Sequence, residues 1–289
     1  MSDPLFTWSL TEIVSFGAGT QSSAIALLAH NRDPRLLAVT GGKLPDHYIF
    51  ADTGDEPRSV YDQLALFSEL LNVPLHIVTR HEDGRSLADE LCGRLEAGKQ
   101  TNLTWIPAFV GSKSRKGRGM LQRRCTQKMK VYPLRRAART LSGYRHKVIK
   151  HLVCRQWLGI STDEITRVRE STEPWSELFY PLIEMGWSRA DCEDYLREHG
   201  IPVIKSACVY CPFRTSAAWQ EMKDDEPEEF KRAAAFERRL QAAYDGLESP
   251  QLKARPFLHP SLVPIDEVDL KTPGIRGGMD NECAGVCGV

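Results

Sequence analysis

Nine residues, Ser15, Phe16, Gly17, Ala18, Gly19, Thr20, Gln21, Ser22 and Ser23, stand between the short segment Glu-Ile-Val and an alanine-rich stretch. Small side chains leave backbone N–H groups bare, and a helix starting just behind them adds its positive end, which together hold a phosphate. Hydroxyls at 15, 20, 22 and 23 can donate to the same oxygens. The loop lacks the lysine of GxxxxGK[ST], and its glycine spacing differs from GxGxxG. A hydroxyl-rich helix cap is the simpler alternative. Strand, loop and helix in this order put a nucleotide phosphate site at the carboxyl end of the first strand of an α/β sheet.

Other residues carry chemistry of their own. Cys208-Val-Tyr-Cys211 is the clearest metal signal: a C-x-x-C turn presents two thiolates, and a four-coordinate site needs two ligands more. Asp163, Glu164 and Arg167 bring two acids and a base within five residues, suited to metal or phosphate, with a surface turn of local ion pairs as the alternative. Asp52 and Thr53 end an apolar run where a nucleotide would cross the sheet edge, and Asp52 can bind ribose or adenine or help hold Mg²⁺. Eleven Lys and Arg and no acid lie between Lys113 and Arg139, Arg123 and Arg124 among them. Such a run suits a polyanion, a nucleic acid included, although solvated basic faces are common. Cys283 and Cys287 lie four apart near the end of the sequence, placed to exchange a persulfide for a disulfide or simply incidental to a tail.

The elements that must position these groups alternate. Apolar strands are expected at 12–16, 47–54, 75–79 and 156–161, and helices at 20–30, 59–73, 86–95 and 132–141. That alternation predicts an α/β fold, a mostly parallel sheet with helices on both faces. Beyond Ser161 a helix capped by Ser188 and stopped by Gly200 and Pro202 is expected, then one from Pro227 to Tyr244. The reading is one nucleotide-binding domain over 1–215 with a helical extension and cysteine-bearing tail over 216–289. In 289 residues with 38 basic and 38 acidic side chains, nothing global advertises nucleic acid. No apolar run reaches the roughly 20 residues of a membrane span, and no signal peptide opens the sequence, so the expectation is a cytoplasmic protein without a membrane partner. Eight cysteines in such a setting point to metal or thiol chemistry.

Five segments, in order, resemble the PP-loop ATP pyrophosphatase superfamily and within it the phosphoadenosine phosphosulfate (PAPS) reductase-like branch. The loop at 15–23 resembles its SGGxDS element, FADTGDEP its DTG strand end, and RRCTQKMKVYPLRR its Arg-Cys and Lys-x-x-Pro-Leu region. GISTDEITRVRES resembles its GIRxDES segment, bringing in Gly159, and YPLIEMGWSRADCEDYLREHGIPV its Trp-Ser helix with a Gly-Ile-Pro exit. The resemblance runs from about Ile13 to Arg214 and implies an adenine nucleotide alpha-hydrolase-like fold. It implies nucleotide contacts from residues 15–22, Asp52, Thr53, Arg124, Gly159, Asp163 and Glu164. Gln21 stands where the pyrophosphatases carry an aspartate, and the reductases' Lys-Arg-Thr motif has no counterpart.

The resemblance also implies that Cys125 joins Cys208 and Cys211 around a [4Fe-4S] cluster, with zinc as the alternative. The family's Cys-Cys pair is here Cys125-Thr126, so Cys192, one helix before the C-x-x-C, is the candidate fourth ligand, or else a core residue. The Glu-Cys-Ala-Gly tail resembles the reductases' Glu-Cys-Gly nucleophile, which gives Cys283 and Cys287, with Asp163 and Arg167, catalytic expectations. The leading expectation is an enzyme that uses ATP and Mg²⁺ to adenylate a nucleic-acid or nucleotide acceptor before sulfur transfer. Reduction of adenylyl or phosphoadenylyl sulfate (APS or PAPS) to sulfite is one alternative. A non-enzymatic nucleic-acid-binding module with a structural metal is another.

Overall fold

The structure, a computed structural model, describes residues 10–99, 106–112, 117–145, 148–248 and 254–271. The first half alternates as expected: β1 (Thr11–Ser15), α1 (Thr20–His30), a short α2 (Pro34–Thr40), β2 (His47–Asp52), α3 (Arg58–Leu70), β3 (Leu75–Thr79) and α4 (Leu87–Glu96). A small excursion follows, β4 (Phe109–Ser112) and β5 (Gly117–Met120), then a π-helical stretch at Thr126–Val131 that continues into α5 (Tyr132–Leu141). The chain returns through β6 (Cys154–Leu158), β7 (Ser176–Phe179), α6 (Pro181–Glu184) and α7 (Arg189–Glu198). It closes with α8 (Ser216–Asp225), α9 (Pro227–Asp245) and β8 (Pro256–Phe257).

Five strands form one sheet in the order β3-β2-β1-β6-β7, every neighbouring pair parallel. The chain adds strands in one direction from β1 to β3 and in the other from β6 to β7. The order therefore reverses between β1 and β6, and in open α/β sheets the crevice at such a point receives ligands. Side chains on the central strands alternate between two buried layers. Val14, Tyr48, Phe50 and Trp157 pack with α1, α3 and α7, whereas Ile13, Ile49, Ala51 and Cys154 pack with Leu134 and Ala138 of α5. Burial on both faces is what makes these strands read as continuous apolar runs.

The sequence did not signal β7, a four-residue edge strand with the polar start Ser-Glu, nor α2, α8 and the antiparallel β5-β4-β8 sheet. These segments are too short, or too far from their partners, for periodicity to register them. The strand expected at 156–161 begins two residues earlier, at Cys154, and leaves the sheet at Gly159. A second core joins α4, residues 106–108, Met129, Val209 and Tyr210 to α8, α9 and residues 258–270. Position 215 thus lies within a region whose two sides share buried side chains. Among the described residues no helix is long and apolar enough to cross a membrane.

Glu237 on α9 organises that second core. It is fully buried, accepts the Leu258 N–H at 2.7 Å and also receives the N–H of Ile265. Burial pushes its carboxyl up to about 6, against the two backbone N–H donors that pull it down. The folded chain therefore holds this proton more tightly than the unfolded chain, and stability falls as pH rises from about 4.5 to about 6, by on the order of 2 kcal/mol. Glu237→Gln keeps an amide acceptor and loses the titration. Urea unfolding of this variant across that window should show a flatter pH dependence than the parent, and an unchanged slope would exclude Glu237 as its source.

Candidate functional site

The loop after β1 is shaped by a residue other than its glycines. Ala18 takes the left-handed conformation (φ 53°) and is fully buried, a strained position for a residue with a Cβ. Gly19, extended at φ −94° and ψ 176°, is needed for space: a Cβ there would come 2.5 Å from the Ser206 hydroxyl. Segment 204–206 thus lies across the loop. The Thr20 N–H and hydroxyl both donate to the Ile204 carbonyl, at 3.2 and 3.0 Å. Ser22 Oγ accepts the Gly17 N–H and donates to the Gly19 carbonyl, and Ser23 Oγ accepts from Gln63. Of the four hydroxyls expected to meet a ligand, those of Thr20, Ser22 and Ser23 instead hold the loop in shape. Phe16 packs into the core against Tyr48 and Phe67.

Helix α1 starts at this loop with no side-chain cap and no acid in its first turn. The Thr20 N–H is taken by Ile204, and the helix's positive end faces a cleft of about 460 Å³, partly shared with solvent. The lining joins Ser15, Gly17, Gly19, Thr20, Gln21 and Ser22 to Gly159, Glu164 and Arg167 from beyond β6, the sequence neighbours of the reversal in strand order. Gly159 lets the two backbones approach closely at that junction, since a Cβ would lie 2.8 Å from Ser22 N and 3.1 Å from its Cα.

The far wall is electrostatically unusual. Gln21 Nε2 donates to Glu164 Oε2 at 3.2 Å, and Glu164 in turn receives the Arg167 guanidinium. Arg167 is largely buried, and among the described residues its Nε and Nη2 have no hydrogen-bond partner. Two unsatisfied donors on a buried cation are costly unless an acceptor fills the space beside them. Arg189 and Lys205 complete a basic rim. Neither these two nor Ser206 was among the expected site residues. Nothing local marks them, because 184 residues separate Thr20 from Ile204.

Other expected residues stand elsewhere. Asp163 does not line the cleft: its carboxylate accepts the Arg189 N–H at 2.7 Å and anchors the start of α7, leaving Glu164 as the segment's acid in the cleft. Asp52 ends β2 as expected, but its Oδ1 accepts from the Gly54 N–H and the Tyr61 hydroxyl, both at 2.8 Å. Thr53 is buried against Glu56 and Cys208. Arg124 donates to Gln122 and sits with Arg80, Arg94 and Lys128, away from the cleft lining. Cys283 and Cys287 lie outside the described residues.

The cysteines divide. Cys211 N–H donates to the Cys208 carbonyl, closing the C-x-x-C turn, and Cys208 Sγ lies 3.6 Å from Thr53 Oγ1 and 3.8 Å from Glu56 Oε1. Cys125 packs against the second core, which also holds Tyr210 of the C-x-x-C turn. Cys192 is not brought to them. It is fully buried in the α1–α7 core, where burial pushes its thiol up to about 12. Among the described residues no three Cys, His, Asp or Glu are arranged to hold a metal ion. The four thiolates expected around a cluster or zinc are therefore not assembled as a set, Cys192 lying in the other core.

No family model and no curated protein matches the sequence. Among solved structures, the chain is similar to phosphoadenylyl-sulfate (PAPS) reductase from Candida auris in its phosphate complex, with a TM-score of 0.42 and 16% identity. The match covers 68% of this chain and 75% of that one.

Gly159→Ala tests the junction directly. Because the added carbon meets backbone rather than a rotatable side chain, the loop has to shift. The expected outcome is a loss of about 1–3 kcal/mol in stability together with weaker anion binding. Thermal unfolding and phosphate or ATP titration measure the two, and a variant equal to the parent in both would show that the close approach is dispensable.

Proposed function

We propose that the chain is an adenosine-nucleotide-binding enzyme of the PP-loop kind, acting in sulfur chemistry. In this reading ATP binds with its phosphates on the α1 N-terminus, and an acceptor oxygen of a nucleic acid or nucleotide attacks the α-phosphorus. Pyrophosphate leaves, and a sulfur nucleophile then displaces AMP from the adenylated acceptor. The observation that carries the reading is the buried Arg167 guanidinium, with two donors unsatisfied, beside an uncapped helix start at the reversal of strand order.

The residues divide the work by chemistry. Loop amides and the helix dipole hold phosphate oxygens without needing a countercharge. Arg167, Arg189 and Lys205 offset the negative charge that builds on the departing pyrophosphate. Glu164, held by Gln21, keeps Arg167 oriented and offers the carboxylate for phosphate-borne Mg²⁺. The five motif resemblances favour adenosine as the base. The cleft suits a phosphosulfate as well as a triphosphate, so sulfonucleotide reduction is the competing reaction of the same site. Cys283 and Cys287 enter as proposed sulfur carriers on the strength of the sequence alone.

Arg167→Gln should lower ATP affinity at least tenfold, about 1.4 kcal/mol, in calorimetry while the fold is kept. Wild-type affinity in that variant would remove the phosphate role. Incubation of the full chain with ATP plus acceptor, or with APS or PAPS plus thiol, separates the two reactions, because the first releases pyrophosphate and the second sulfite. Cys283→Ser should bind nucleotide normally yet fail to turn over more than once. Full cycling by that variant would leave the tail without a catalytic part.

A further inference from the structure

Five cations of the basic run, Lys128, Lys130, Arg135, Arg136 and Arg139, fall on one continuous helix, the π-helical turns at Thr126–Val131 running into α5. Its inner face is spent on packing: Met129, Val131, Leu134 and Ala138 are buried, and the Lys130 ammonium pairs with buried Glu56 at 2.9 Å. On the outer face Tyr132 is 49% exposed, an unusual place for a large ring. Lys128 stands four residues before it and Arg136 four residues after, so one turn of helix separates each cation from the ring.

Cations from other elements extend this stripe. Arg80, which directly follows β3, donates to the Lys128 carbonyl at 3.4 Å, and Arg136 donates to the Thr79 carbonyl at 3.2 Å. Arg80 and Arg94 approach Glu90 at 3.3 and 3.9 Å. Partial burial and the fields of Arg80, Arg94 and Arg124 hold the Lys128 ammonium below its ordinary value, with the Glu90 carboxylate opposing them. Beyond Arg124, the Arg123 guanidinium lies 5.4 Å from the Phe213 ring centre. Crowded like charges cost folding energy, and a polyanion seated on them recovers it. In a chain of zero net charge this crowding is a local feature.

We propose that this stripe is a docking surface for single-stranded nucleic acid, with phosphates on Lys128, Arg136 and the Arg80–Arg94–Arg124 group and a base stacked on Tyr132. An exposed ring between cations suits an unpaired base, whereas a duplex keeps its base faces stacked. The stripe begins beside the residue that follows β3, and the phosphate loop follows β1, so both border the carboxyl edge of one sheet. The proposal rests on the preceding functional reading only for why a strand is brought here, as acceptor; the binding itself stands apart.

The test uses the full chain and fluorescence anisotropy with a labelled single-stranded oligonucleotide of mixed sequence, its duplex, and heparin as a competing polyanion. Single strands should bind more tightly than the duplex, with affinity falling as salt rises by a log–log slope of about −0.7 per phosphate contact. Tyr132→Ala should weaken single-strand binding at least fivefold while Tyr132→Phe does not. Lys128→Gln with Arg136→Gln should shallow the salt slope by about 1.4, two contacts at about 0.7 each. Duplex binding equal to single-strand binding, Tyr132→Ala equal to the parent, or a preference for heparin would each overturn the proposal. ATP titration of the same variants separates the two readings. Normal ATP affinity with lost oligonucleotide binding concerns the stripe, and oligonucleotide binding that survives in Arg167→Gln shows that the stripe does not depend on the cleft.

Discussion

The start of α1 is the constraint around which the rest is arranged. A helix leaves its first amides without intrahelical partners, and here no side chain caps them. The fold ties the loop down by other means: Thr20 to Ile204, Ser22 back to Gly17 and Gly19, and the Gly159 backbone pressed against Ser22. None of these ties puts a carboxylate on the helix start, so its positive end stays available to an anion. The reversal of strand order between β1 and β6 supplies the crevice, since the connections on either side of it run to opposite ends of the sheet.

Charge is sorted in space rather than in total. Equal numbers of acids and bases cancel over the whole chain, yet Arg167, Arg189 and Lys205 all line the cleft, Arg167 paired with Glu164 inside it and the other two with Glu193 and Glu221. Arg167 is the informative member because it is both paired and incompletely satisfied. The cations beyond β3 are a second concentration, built on a different helix and a different face. A polyanion engaging both would span the carboxyl edge of the sheet.

The C-terminal helices join the sheet through a buried polar knot. Glu56 lies with Thr53, Lys130 and Cys208, and neighbouring Asp55 accepts the Tyr210 hydroxyl while its carbonyl receives the Val209 N–H. Tyr210 stacks on Phe236 of α9 at 3.8 Å, and Glu229 of α9 accepts the Arg58 N–H at the start of α3. This is why residues on both sides of position 215 share one core. The C-x-x-C turn belongs to this joint, next to an acid and an ammonium, and Cys192 belongs to the other core.

Sequence alone determined the parts governed by local rules. The strand–loop–helix at 11–30, the Ser188 cap, the end of α7 before Gly200 and the parallel α/β class all follow from periodicity, caps and small residues within a few positions of one another. Gly159, Glu164 and Arg167 were also recognisable, from motif resemblance, as partners of the loop. Tertiary structure alone decided which acid faces the cleft, because Asp163 and Glu164 are adjacent and only their orientation toward α7 or Gln21 separates them. It likewise decided that Lys205 and Ser206 cross the loop and that Cys192 faces a core away from the C-x-x-C. Pairings across 140 or more residues leave no periodic trace: they arise when strand order and two-faced packing bring distant segments to one edge, and a sequence carries that geometry only in its sum.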